Sequence, residues 1–128
     1  MGRPPQKELT QRELEVMHVF WQRGAMTASE VRAELAQVGV DRAYVTVANL
    51  VRILVDKGFL ESTNKERPFR YRAVRSFDDV SRSLVCDLVK RLFQGSREQL
   101  LVSLLGDGDR LSQQERELLQ QILAEQEQ

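Results

Sequence analysis

Residues 43–57 carry side chains that can exchange hydrogen bonds and methyl contacts with a ligand. Apolar residues recur there at the three- and four-residue spacing of a buried helical face, namely Val47, Leu50, Val51 and Leu54. The same spacing turns other residues outward or onto the flanks: Val45, Thr46, Ala48, Asn49, Arg52 and Asp56. A hydroxyl, an amide, a guanidinium and small apolar groups suit the base edges, phosphates and thymine methyls of a DNA major groove. The alternative is an ordinary amphipathic helix with an uninvolved outer face.

Two short segments after this helix predict a β-hairpin. Residues 59–63 and 69–74 alternate with the period of two that half-buried strands show. In the second segment the aromatic residues and Ala73 would face inward, and the arginines outward. The connecting turn carries Lys65 and Arg67, which can neutralise phosphates, although a basic hairpin tip can equally be solvated surface. Helix and hairpin together predict a winged helix-turn-helix, and DNA is the first partner to consider.

The helix starts that position these groups are marked by capping boxes. A hydroxyl residue is followed three positions later by Glu or Gln at four places, namely Thr10, Thr27, Ser96 and Ser112. With the apolar periodicity they predict helices at 11–23, 28–38, 43–57, 77–94, 97–105 and 113–126. We therefore expect a mainly α protein with a small β-hairpin: a winged helix-turn-helix DNA-binding domain at 1–75, then a helical dimerisation region at 76–128.

Charge is unevenly distributed along the chain. The formal net charge of the 128 residues is zero, but residues 1–76 hold 13 basic and 9 acidic groups, and residues 77–128 hold 6 and 10. Between Arg42 and Arg75, eight Lys or Arg residues stand against three acids. The first part is thus the candidate for binding nucleic acid.

Composition argues against an enzyme, a metalloprotein and a membrane protein. The single histidine, His18, would have to serve any Ser-His-Asp, Cys-His or zinc-water site, and the single cysteine, Cys86, excludes an internal disulfide or a multi-cysteine metal site. No apolar run approaches the roughly 18–20 residues that span a bilayer, and no signal peptide is recognisable. We expect a cytoplasmic protein that inserts into no membrane, binds no metal or cofactor and catalyses no reaction.

The acidic tail carries more apolar surface than three short helices can bury by themselves. A partner is expected to cover it, most simply a second copy of the chain, whereas the alternative is that the tail folds back on its own winged helix. A twofold dimer would present two reading helices to DNA half-sites about one turn apart. The predicted dimerisation residues are Leu84, Leu88, Leu92, Leu101, Leu104, Leu119, Ile122 and Leu123.

Several of these segments resemble the penicillinase repressor family (BlaI/MecI). The resemblance rests on Leu9-Thr10 leading through Glu13-Leu14-Glu15-Val16-Met17 to Trp21, on Tyr44-Val45-Thr46-Val47 with Leu50 and Leu54, on Lys57-Gly58-Phe59-Leu60, on Tyr71-Arg72-Ala73 and on Gly95 between two tail helices. It covers nearly the whole chain. It implies a homodimeric transcriptional repressor that binds a dyad-symmetric operator in double-stranded DNA.

Base-reading roles follow from this resemblance position by position. The resemblance implies that Thr46 and Asn49 read the bases, with Val45 and Ala48 beside them. Well-known members of the family have basic residues at the positions of Val45 and Ala48. Contacts to the DNA backbone are predicted separately, from the basic residues of this region together with a tyrosine: Arg42, Tyr44, Arg52, Lys65 and Arg67. The rival interpretation is a winged-helix protein-interaction module without sequence-specific DNA binding.

The resemblance also implies a route of derepression. In the family a membrane-bound sensor protease signals antibiotic stress, and the repressor is cut in the helix that corresponds to about 100–105. The cleavage region would include Ser103 and Leu104, where the Asn-Phe pair of the best-known members is absent. The C-terminal cysteine cluster of the copper-responsive branch is also absent, so copper sensing is not expected.

Overall fold

A computed structural model describes residues 8–106 and 111–126 of the chain. The described residues form six helices and three short strands, in the order α1 (Gln11–Arg23), β1 (Met26–Thr27), α2 (Ala28–Gln37), α3 (Tyr44–Lys57), β2 (Leu60–Ser62), β3 (Arg70–Ala73), α4 (Phe77–Arg91), α5 (Arg97–Leu105) and α6 (Gln113–Gln126). Every predicted helix is present, with ends that differ by at most three residues. The mainly α class and the winged helix-turn-helix are confirmed.

The capping boxes explain why the first two helices begin where they do. The Glu13 amide donates to Thr10 Oγ1 at 3.2 Å, and the Thr10 amide donates to Glu13 Oε1 at 3.0 Å. Thr27 and Glu30 exchange the same two bonds at 2.9 and 3.2 Å, and the Thr27 amide, helped by Arg70, lowers the pKa of Glu30. Each box satisfies amides that the first helical turn leaves unpaired.

The predicted hairpin forms, and a third strand joins it. β3 lies in the middle of an antiparallel sheet of order β1-β3-β2, with Leu60 opposite Ala73 on one side and Met26 opposite Tyr71 on the other. The sequence did not predict β1, because two residues are too short to show an alternating pattern and Thr27 also caps α2. This strand fixes the hairpin to the start of the helix-turn-helix.

The core of the winged helix is built from α1–α3 and the strands. The predicted inner stripe of α3 is buried, with Val47 and Leu54 fully enclosed. Gly58 ends α3 in the left-handed conformation at φ 88°, which favours glycine, and the Phe59 amide returns to the Leu54 carbonyl at 2.9 Å. The chain can therefore enter β2 directly after the helix.

The chain divides into two compact units, Met1–Ser81 and Arg82–Gln128. Within the second unit most large apolar side chains of the helices are exposed to solvent, from 38% for Leu84 to 67% for Leu104, whereas Val89 is buried. Seven of the predicted dimerisation residues are exposed in the single chain and Leu119 is half-buried. Among residues 8–106 and 111–126, no helix combines the length and apolar character that a membrane span requires.

Candidate nucleic-acid interface

The outward face of α3 presents the predicted base-reading residues to solvent. Val45 is 75% exposed, and Asn49 is exposed one turn further along the helix. Thr46 and Ala48 are half-buried on the flanks, as the periodicity predicts. The buried apolar residues on the opposite side of α3, beginning with Val47, hold the helix against the core. The hydroxyl, amide and methyl groups of the outward face are therefore held in fixed positions.

The start of α3 differs from the starts of α1 and α2. Its N-cap residue is Ala43, which makes no side-chain hydrogen bond to the first turn. The amides of that turn therefore have no side-chain acceptor from the cap, and the positive end of the helix dipole lies beside them. Such a helix start can accept an anionic oxygen, including one from a DNA phosphate.

Two ion pairs connect α3 to α1, one at each end. Arg42, just before the helix, donates from Nη2 and Nε to Glu15 Oε1 at 2.9 and 3.2 Å. Lys57, in the last turn, donates from Nζ to Glu13 Oε1 at 2.8 Å, and Glu13 is only 4% exposed. Because the buried carboxylate and the bidentate guanidinium restrict both ends, these pairs fix how α3 is presented.

Most basic residues near the interface are paired with carboxylates. Of the eight between residues 42 and 75, five form ion pairs: Arg42 with Glu15, Lys57 with Glu13, Arg70 with Glu30, Arg72 with Glu61, and Arg75 with Asp79. In the described part of the chain, the other three have no carboxylate partner, namely Arg52, Lys65 and Arg67. Between residues 42 and 75 the cations available to phosphates are therefore fewer than the sequence count, and they lie on α3 and the hairpin turn.

The hairpin turn, here called the wing (residues 63–69), is braced by Asn64. Its Oδ1 accepts from the Arg70 amide at 3.0 Å, and its Nδ2 donates to the Pro68 carbonyl at 3.2 Å. The Arg67 guanidinium lies 5.8 Å from the centre of the Phe69 ring, where the ring face attracts a cation. The wing thus holds Lys65 and Arg67 on a structured turn.

A cleft of about 530 Å³ separates α3 from the wing. Tyr44 and Ala48 line it from α3, Ser29 from the start of α2, and Arg67 from the wing. The sequence assigned Tyr44 and Arg67 to DNA contacts separately, and the tertiary structure brings them to one cleft. A DNA backbone that crosses the cleft would contact the phenol of Tyr44, the hydroxyl of Ser29 and the guanidinium of Arg67.

The predicted DNA-contact and cleavage residues fall into four groups. The base-reading set lies on α3. Tyr44 and Arg52 lie on the same helix and Lys65 and Arg67 on the wing, and Arg67 shares a cleft with Tyr44 and Ala48. The Arg42 side chain is 23% exposed and is bound to Glu15, and its contact with the DNA backbone stays a prediction. The predicted cleavage residues Ser103 and Leu104 lie near the end of α5, exposed to solvent, and cleavage there stays a prediction.

A family model and related sequences show what the chain is similar to. A sequence model described as penicillinase repressor matches residues 9–125. The methicillin resistance regulatory protein MecI of Staphylococcus aureus (strain N315) is 26% identical over 116 residues, covering 91% of this chain and 93% of MecI. An uncharacterized 16.5 kDa protein of Latilactobacillus sakei is 31% identical over 116 residues, covering 91% of this chain and 78% of that protein.

A solved structure shows the same fold at lower identity. RosR of H. salinarum, grown from NaBr, superposes with a TM-score of 0.52 and 17% identity, covering 94% of each chain. At that identity the similarity concerns the arrangement of helices and strands alone.

Proposed function

Because the chain belongs to the penicillinase repressor family, it is a DNA-binding transcriptional repressor of that type, and we propose that it binds a dyad-symmetric operator as a homodimer. In each copy α3 enters the major groove and the wing contacts the flanking backbone. Thr46 and Asn49 read base edges, with Val45 and Ala48 making methyl contacts. Tyr44, Arg52, Lys65 and Arg67 hold the backbone.

The observation that carries this proposal is the position of the cations without carboxylate partners. Arg52 is on α3, and Lys65 and Arg67 are on the wing, where Arg67 shares a cleft with Tyr44 in the first turn of α3. Phosphates can supply the negative charge that these three cations lack. The same arrangement explains how a chain of zero net charge can bind a polyanion.

The exposed apolar side chains of the second unit support the homodimer. Leu88, Leu92 and Leu104 are 42, 64 and 67% exposed, and their helices carry further leucines of the same kind. Burying apolar surface gains about 25 cal/mol per Å², so a second copy would stabilise this unit. Coupling two reading helices also raises the affinity for a twofold operator, because the second helix then binds at high effective concentration.

The test is the salt dependence of binding to DNA. Three cations per copy give about six phosphate contacts per dimer, so log affinity should fall against log salt with a slope of about −5. Between roughly 50 and 200 mM salt the affinity should fall by orders of magnitude. A purified protein whose DNA affinity is unchanged over that range would instead support the protein-interaction module.

A further inference from the structure

Asn49 and Arg52 lie one turn apart on the outward face of α3 and bind each other. Arg52 Nη2 donates a hydrogen bond to Asn49 Oδ1 over 2.6 Å. Because a guanidinium has donors and no acceptor, the oxygen of the Asn49 amide, and not its nitrogen, must face Arg52. One of the two lone pairs of Asn49 Oδ1 is therefore occupied, while both N–H donors of the amide are left for a ligand.

In the described part of the chain no carboxylate competes with Asn49 for the Arg52 guanidinium, because Arg52 forms no ion pair there. Arg42 and Arg72, by contrast, are each bound to a glutamate. A hydrogen bond from a charged donor is about twice as strong as one between neutral groups. Asn49 Oδ1 should thus keep its bond to Arg52 when DNA binds, and the amino group of a base would have to use the second lone pair of that oxygen.

The bond to Arg52 shifts the balance of donors and acceptors that Asn49 offers to a base. A free asparagine pairs with adenine because it accepts from N6 and donates to N7, whereas guanine presents two acceptors, O6 and N7. We infer that Asn49 and Arg52 act as one reading unit whose N–H donors outnumber its one remaining acceptor lone pair, and that this unit selects guanine over adenine. The inference rests on the proposed DNA binding and deepens it by naming the base; Arg52 becomes a specificity residue as well as a phosphate contact.

The first test is selection from randomised duplex DNA with the full-length protein at fixed low salt. The position read by the pair is the one whose preference Asn49→Ala abolishes. Guanine should be enriched there in the wild type, and its replacement by adenine should weaken binding by about 5- to 150-fold. Enrichment of adenine by the wild type would overturn the inference, because Asn49 would then be using its acceptor.

A charge-matched pair of variants separates base reading from phosphate attraction. Arg52→Met keeps the aliphatic stem but frees Asn49 Oδ1, so the preference at that position should move from guanine to adenine. Lys65→Met also removes one cation, yet it should weaken binding to every sequence alike and leave the base preference unchanged. A guanine preference that survives Arg52→Met would contradict the reading unit.

A chemical substitution in the DNA tests the wild type without any variant. 7-Deazaguanine lacks the N7 acceptor, so placing it at the selected position should weaken binding by about fivefold or more; an unchanged affinity would overturn the inference. Two failures are distinguishable. Absence of salt-dependent DNA binding rejects the proposed function, whereas sequence-specific binding that favours adenine rejects only the guanine assignment.

Discussion

The two units of this chain use the same kind of residue in opposite ways. In the winged helix, apolar residues at helical spacing are enclosed, and Val47 and Leu54 have no exposed surface. In the second unit, leucines at similar spacing are exposed, and Leu104 remains 67% accessible. The first unit contains the surfaces that cover its own core. The second unit exposes apolar side chains that the proposed dimer would bury, so the two units should respond differently to the same type of substitution.

The largest expected effect is the loss of a core side chain. Leu54→Ala should lower the free energy of unfolding of the winged helix by about 2–5 kcal/mol, because it removes a fully buried side chain and leaves a cavity. Urea denaturation followed by tryptophan fluorescence measures this, since Trp21 packs against the same core. The decrease in the free energy of unfolding should be the same at every protein concentration, because this core lies within one chain. A loss below about 1 kcal/mol would mean that this core repacks freely.

The matching change in the second unit should act on assembly. Leu88→Asp should yield monomers in sedimentation velocity, because a carboxylate buried between two copies costs several kcal/mol without a partner. Ser83→Asp introduces the same charge at an exposed polar position of α4 and should leave the dimer intact. If Leu88→Asp stayed dimeric, the interface would lie elsewhere and the contrast between the units would need another explanation.

The ion pair at the end of α3 should have an intermediate effect. Lys57→Met leaves the buried Glu13 carboxylate without its cation, which should cost about 1–3 kcal/mol of stability, at the lower end because Lys57 is 27% exposed. The double variant Lys57→Met with Glu13→Gln should recover part of that loss. A single variant as stable as the wild type would show that α3 is held by its apolar stripe alone.

The smallest effect concerns charge on the two units. Lys65→Ala should reduce the salt slope of DNA binding by about 1 per copy, because one phosphate contact is lost. Arg82→Ala removes an exposed cation from the second unit and should leave the slope unchanged. Equal changes in both variants would indicate that the DNA follows a path beyond α3 and the wing.

The helices could be placed from the sequence because their signals are local. A cap such as Thr10 with Glu13 lies within one turn, and the periodicity of α3 is visible in 14 residues. Strand β1 gave no such signal, because its identity as a strand depends on Tyr71 and Arg70, more than 40 positions away in the sequence. Local rules therefore predicted the hairpin but not its third strand.

The sequence by itself determined the outward face of α3, the basic character of the first part and the apolar excess of the tail, since each follows from residue order and helical geometry. Only the tertiary structure decided which cations are available. Arg42 meets Glu15 across 27 positions, whereas Arg52 meets the amide of Asn49 instead of a carboxylate. Ion pairing depends on separation in space, so a count of charges along the chain cannot show which of them remain for DNA.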